Sequence, residues 1–369
     1  MKKLLVLCVT LLAVWLSPSA SANELTTEDI YSQQYEQSGA GGLSEALPDD
    51  VKQQMDELDI SGLDTSWTKE LTVENIFEQI LSFLKSGGKR PLLAGVSILA
   101  VLLFGSAIGG LMPENKNIEY VVTLGITASA VLPAVSTVMA SVSAIRSAGT
   151  FMLAFIPVFA AILVSRGRSL TAAGYSSVML GVSEAVTSLC SLVITPLVGM
   201  QLGLTVSGSV LTEINTASLG RTVRRIANWI LTLCTTVLLA VLGIQTLING
   251  SADSLSDKTA KFVIGSTVPV VGGAVGEALA TVKGCLKLLG SSVAIYGIIA
   301  VAMLMLPVVV ELLLWRVVLL LAAMTAELLI KERSAMLLRS VDSAVAFVLG
   351  ITVFIGVLFV ISITVVSLA

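Results

Sequence analysis

The stretch Gly265-Ser266-Thr267-Val268-Pro269-Val270-Val271-Gly272-Gly273-Ala274-Val275-Gly276-Glu277 is apolar enough to enter a bilayer, yet it carries four glycines, a proline and a carboxylate. Read as a soluble loop it says little. Read as a broken membrane helix it makes the chain a polytopic membrane protein. The rest of the sequence decides for the second reading. Of 369 residues, 55% are hydrophobic and 13% charged, against about 25% charged in a soluble domain. The expected class is an all-α polytopic membrane protein.

The residue inventory excludes much chemistry. The chain has no histidine, which removes Ser-His-Asp triads, Cys-His dyads and His-ligated metal sites. Cys8, Cys190, Cys234 and Cys285 form no CxxC pair and read as small apolar residues. There is no Walker A pattern, no GxGD motif and no metal-ligand cluster, so neither catalytic residues nor a cofactor are expected. A net charge of -3 gives no footprint for nucleic acid.

Residues 1–22 read as a secretory signal peptide: Lys2 and Lys3, an apolar core from Leu4 to Leu16, then Ala20-Ser21-Ala22 as the cleavage pattern. Cleavage places Asn23 onward outside the cytoplasm. Residues 23–91 hold 14 Asp/Glu against five Lys/Arg and make a small acidic extracytoplasmic segment. Ser38-Gly39-Ala40-Gly41-Gly42 reads as a break, and Pro48 opens a short helix. Val73, Ile76, Phe77, Ile80, Leu81 and Leu84 recur at helical spacing, which predicts an amphipathic helix over 72–85. So few apolar positions make a weak independent core. The apolar face of this helix therefore needs a partner: the protein's own bundle, the membrane surface, or another protein.

Residues 92–368 are the multi-pass domain. Apolar runs fall at 92–112, 120–141, 148–164, 172–192, 194–212, 226–248, 262–280, 288–310, 312–330 and 344–368. Each is near the roughly 20 residues of a spanning helix, which predicts about eight to ten transmembrane or re-entrant helices. Whether 172–212 and 286–330 cross once or twice is open. If every run crosses, the cytoplasmic loops are 113–119, 165–171, 213–225, 281–287 and 331–343, and they hold 11 of the 15 Lys/Arg after residue 91, in accord with the positive-inside rule. Two parallel four-crossing repeats, 120–225 and 226–340, are suggested by the match of Phe155-Ile156-Pro157-Val158-Phe159 to Thr267-Val268-Pro269-Val270-Val271, with Pro196 and Pro307 following at similar distances.

Candidate pathway or packing residues follow from what is costly in a membrane. Pro157, Pro196, Pro269 and Pro307 (with Pro133) lie inside apolar runs, where each removes a backbone bond. They shape a packed bundle or mark broken helices at a conduction site. Glu184, Glu277, Glu311 and Arg316 are ionisable groups at membrane depth, functional candidates by default. Arg316 lies five positions after Glu311, a poor same-helix spacing, so its partner is expected on another helix. Glu213, Glu327 and Asp342 read as interfacial. Gly272, Gly273 and Gly276, like Gly199/Gly203 and Gly105/Gly109, permit close helix approach.

The leader, the acidic external segment and a multi-pass region carrying Gly265-Ser266-Thr267-Val268-Pro269-Val270-Val271-Gly272-Gly273 and Phe155-Ile156-Pro157-Val158-Phe159 together resemble the stage III sporulation protein AE family of endospore-forming bacteria. The likeness covers essentially the whole chain. It implies a non-enzymatic, permease-like component of the eight-protein stage III sporulation A complex, in the mother-cell membrane around the forespore. That complex, with the forespore Q protein, resembles a secretion or feeding channel between the two cells. It implies as partners the AA ATPase and the ring-forming members, besides the lipid membrane and further copies in a homo-oligomer. The alternatives are an independent proton- or cation-coupled secondary transporter using Glu184, and a pore-less scaffold.

Overall fold

A computed structural model describes residues 27–58, 87–111, 117–189, 195–210, 272–329 and 332–368, with isolated positions between them. The leader, most of the 72–85 helix, the run at 226–248, Glu213 and Pro269 lie outside the described residues. The all-helical reading holds: no strand occurs among the described residues.

Three short elements come first: α1 (Thr27–Ser38), a 3-10 helix (Ala40–Ala46) and α2 (Asp49–Glu57). Asp49 and Asp50 open α2 behind Pro48, where acidic side chains suit the positive end of the helix dipole. Six longer helices follow: α3 (Lys89–Leu111), α4 (Asn117–Ser165), α5 (Ser169–Leu189), α6 (Thr195–Val210), α7 (Gly272–Leu328) and α8 (Glu332–Leu368). Four of them, α3, α4, α7 and α8, contain stretches long and apolar enough to cross a membrane. α3 shows why. Pro91, Ala94, Ile98, Leu102 and Gly105 face the bundle, while Leu93, Val96, Leu103 and Phe104 face outward. A helix that is apolar on both sides belongs in lipid.

Among the described residues the apolar runs do not each form a helix of their own. Eight apolar runs fold into these six helices, because two pairs of runs fuse. The predicted loop around Arg146 is helical and joins 120–141 to 148–164 in one helix of 49 residues. Nothing breaks the chain there: Ser141-Val142-Ser143-Ala144-Ile145 contains neither proline nor glycine, and the Ser141 hydroxyl bonds back to the Thr137 carbonyl at 2.9 Å. In the same way 288–310 and 312–330 form one helix of 57 residues that also absorbs the predicted loop at 281–287. Most of the loop at 331–343 is the first part of α8. Because α4 is a single helix, Asn117 and the turn at 165–169 lie at its opposite ends.

The turn at Ser165-Arg166-Gly167-Arg168-Ser169 is real. Gly167 adopts φ 84°, donates to the Val164 carbonyl at 2.8 Å, and Arg168 donates to Leu163 at 2.9 Å. This pattern ends a helix with a left-handed residue, which glycine reaches without a Cβ clash. Within 172–212, α5 ends at Leu189 and α6 begins at Thr195, and the stretch between them lies largely outside the described residues. Pro196 is the second residue of α6, and Pro307 lies inside α7. The first half of the second copy of the suggested repeat lies largely outside the described residues.

Contacts set the helix directions. Gly105 faces Val122 and Gly125 faces Val101, so α3 and α4 are antiparallel. Gly297 packs on Phe155, and Gly290 on Ile162 and Arg166, so α4 and α7 are antiparallel. Gly95 against Val318 and Gly87 against Glu311 make α3 parallel to α7. α7 and α8 form a hairpin. The bundle axis is filled by Trp315, Phe151, Phe155, Phe159, Ile98, Leu102 and Ile126, all essentially inaccessible. Phe155 stacks on Phe159 with ring centroids 5.4 Å apart, and Phe159 meets the edge of Tyr175 on α5 at 5.8 Å.

The described part of the acidic segment packs on the long helices, whereas the apolar face expected over 72–85 lies outside the described residues. Tyr35, Leu43, Leu47, Val51 and Met55 are buried in the same core as the long helices. The strap they form lies across α4 and α7, with Gly39 near Val158 and Tyr35, Met55 and Asp56 around Tyr296. Burial, and then the neighbouring Tyr31, raises the Tyr35 hydroxyl above its ordinary pKa.

Candidate functional site

The polar groups that join the long helices gather one turn beyond two prolines. Pro133 in α4 and Pro307 in α7 both sit inside their helices. Four residues after each comes a polar residue, Thr137 and Glu311 respectively. The Thr137 Oγ1 donates to Glu311 Oε1 at 2.8 Å. The indole Nε1 of Trp315 donates to the same Thr137 oxygen at 3.0 Å. An indole N–H only donates, and a threonine hydroxyl has one proton. The direction of the relay is therefore set: Trp315 to Thr137 to Glu311, ending on a carboxylate oxygen that accepts.

Burial makes this relay consequential. Thr137 is 1% exposed and Trp315 fully buried. An unmet polar group at such a place costs about 1–3 kcal/mol. Glu311 is half-buried, and Gly87, just before α3, lies against it: a Cβ there would stand 3.7 Å from the Glu311 Cβ. Glu311, on α7, is thus bonded to α4 and lies beside the residue that precedes α3.

A second polar joint lies on the adjoining side of α7. Arg316 Nε is 3.1 Å from Asp342 Oδ1 on α8. The partner of Arg316 is on another helix, as its spacing from Glu311 requires. Asp342, read from sequence as interfacial, is instead 9% exposed. Its position follows from the α7–α8 hairpin, which brings it beside Arg316. Nearer the hairpin turn, Arg339 pairs with Glu327, and the Arg333 guanidinium lies 5.0 Å from the Tyr120 ring centroid.

The other candidates do not join this cluster. Glu184 lies on the exposed face of α5, with Ser188 of its own helix 3.5 Å away. Pro157 is exposed on the outer face of α4. Gly199 and Gly203 face open space among the described residues. Gly272, Gly273, Gly276 and Glu277 form the first turns of α7, with only their backbone described. No group of residues able to hold a metal occurs among the described residues. Sequence reasoning passed over Thr137 and Trp315. Trp315 carried a signal, being one of four tryptophans and four residues beyond Glu311; Thr137, one hydroxyl among many, carried none.

Long helices apolar on their outer faces and joined inside by polar contacts define a polytopic α-helical membrane protein. A sequence profile described as Stage III sporulation protein AE matches residues 66–369, and the chain belongs to that family of stage III sporulation proteins. The Stage III sporulation protein AE of Bacillus subtilis (strain 168) is 29% identical over 155 residues, which are 42% of this chain and 39% of that relative. The match therefore spans well under half the length of the curated relative. No solved structure matches the chain.

Proposed function

We propose that the chain is the non-enzymatic, permease-like membrane core of a sporulation-specific secretion or feeding channel between mother cell and forespore. In this reading it sits in the mother-cell membrane around the forespore, with the acidic strap on the extracytoplasmic side. The observation that carries the proposal is family membership over residues 66–369 in a chain whose long apolar helices are joined through Thr137, Glu311 and Trp315. Energy comes from the separate AA ATPase, and ring-forming members and the forespore Q protein complete the conduit. The bundle axis is filled by Trp315, Phe155 and Ile126, so a conduit lies between copies of the chain or between it and its partners.

Two observations bear on the transporter alternative. Glu184 is exposed, and its neighbour is Ser188 on the same helix, whereas Glu311 is bonded across helices. The test is complementation in a sporulating host lacking the chain, with Glu311→Gln, Thr137→Val and Glu184→Gln each assayed for heat-resistant spores and for co-purification with the other complex proteins. The channel-core reading expects Thr137→Val to lower both together and Glu184→Gln to leave both near parental levels. Loss of spores in Glu184→Gln with the complex intact points to the transporter.

A further inference from the structure

The two sides of the α4–α7 pair carry opposite charge. On one side lies the strap, which exposes the carboxylates of Glu36, Glu45, Asp49, Asp50 and Glu57. On the other, Arg166 and Arg168 stand half-buried in the α4–α5 turn, and Lys287 is exposed on α7. The stretches 120–183 and 278–310 contain no Asp or Glu. Among the described residues no ion pair engages these three cations.

Helix geometry separates the two surfaces. At 3.6 residues per turn, positions nine apart are two and a half turns apart and so lie on opposite faces. On α7, Tyr296 lies beneath the strap, so Lys287, nine residues earlier, is on the face away from it. On α4, Val158 meets Gly39 of the strap, whereas Gly149, nine residues earlier, faces Thr187 of α5. The turn that opens α5 is therefore also on the side away from the strap. The level along the bundle is nearly shared. Arg166 packs on Gly290, which sets the turn beside Lys287. From Val158 to Arg166 is about 12 Å along α4, and from Tyr296 to Lys287 about 14 Å along α7. Both are less than the roughly 18 Å length of α1.

We infer that the basic surface of Arg166, Arg168 and Lys287 docks the acidic strap of a second copy of this chain, standing side by side with the first. Charge complementarity selects this occupant, and orientation permits it. Copies inserted in one membrane share one orientation, so their straps and basic turns all lie at the same end. Each strap then meets a neighbour's turn without inverting either chain. Two different surfaces meet, so the contact is heterologous, and its repetition closes a ring or continues as a row. Burial, and then the like charge of Arg168, lowers the pKa of Arg166; an incoming carboxylate offsets that repulsion. Exposed Leu170 and Leu288 flank the cations and add apolar contact to a polar interface. The contact does not rest on the channel reading and holds equally for a pore-less scaffold.

The test is capture between two differently tagged copies of the full chain, co-expressed and purified in mild detergent. The parent is expected to capture itself at about 0.1 M salt and about tenfold less at about 1 M, where screening is strong. Arg168→Glu with Lys287→Glu reverses the turn, and Glu36→Lys, Glu45→Lys and Glu57→Lys together reverse the strap. Each reversed chain is expected to capture itself about tenfold less than the parent, because like charges now face each other. Co-expressed with one another, the two reversed chains are expected to return to parental capture, since strap and turn are again complementary in both directions. Chains that had failed to fold would not recover on pairing. Absence of parental capture, parental self-capture by either reversed chain, or no recovery in the mixed pair overturns the inference. So does unchanged self-capture joined to loss of co-purified phosphatidylglycerol from the turn-reversed chain, which assigns the cations to lipid headgroups instead.

Discussion

Thr137 and Glu311, 174 residues apart in sequence, share a 2.8 Å hydrogen bond between antiparallel helices. Each stands one turn after a proline, and Trp315 closes the relay from within the bundle. A long α4 and a long α7 are thereby held in one register by a directional contact instead of by apolar packing alone.

Thr137→Val keeps the shape and removes the hydroxyl. The buried Trp315 N–H then has no acceptor there, at a cost of about 1–3 kcal/mol. A lower thermal-unfolding midpoint in detergent is expected for Thr137→Val. Thr137→Ser, which retains donor and acceptor, is expected to stay close to the parent.

For Arg316 and Asp342 the expectation is non-additivity. Removing one charge leaves the other without its partner inside the bundle, whereas replacing both with apolar residues leaves no orphan. A double-mutant cycle with Arg316→Met and Asp342→Leu, read by thermal unfolding, should find the double variant closer to the parent than the sum of the singles. Strict additivity rules out the coupling.

Gly297 lets α7 approach the Phe155 ring: a Cβ there would lie 2.5 Å from the ring carbon Cε2. Gly297→Ala overpacks the contact and should destabilise the bundle by about 1–3 kcal/mol. Phe155→Leu in the same chain should recover part of the loss. The measurement is again the unfolding midpoint, and an unchanged Gly297→Ala variant excludes the close contact.

The strap depends on a few apolar anchors. Met55 is 2% exposed beneath it, and Met55→Ala should cost about 2–5 kcal/mol of local packing. The expected outcome is faster proteolytic cleavage within residues 40–57 while fragments containing the long helices persist. Equal cleavage rates in parent and variant contradict the docking.

Some of this was open to inspection residue by residue. The excess of apolar residues and scarcity of charge announced membrane helices, because lipid admits few alternatives. Ser165-Arg166-Gly167-Arg168-Ser169 announced a turn, since glycine satisfies the left-handed cap. The spacing of Arg316 from Glu311 announced a partner on another helix. Loops were harder. Arg146 and the Lys283–Lys287 segment were read as inter-helix loops because charge interrupts apolarity there. Helical backbone tolerates charge readily, however, and even Gly284 within the second segment does not end it.

Taken alone, the sequence determined the helical membrane class, the acidic character of the strap and the candidates Glu311 and Arg316, because composition and local spacing suffice for these. The tertiary structure decided that the strap docks on α4 and α7, that Asp342 is the partner of Arg316, and that Thr137 and Trp315 complete the Glu311 site. The reason is physical. Hydrogen bonds and ion pairs between helices depend on which faces meet, and that is set by packing across the whole bundle, not by neighbours along the chain.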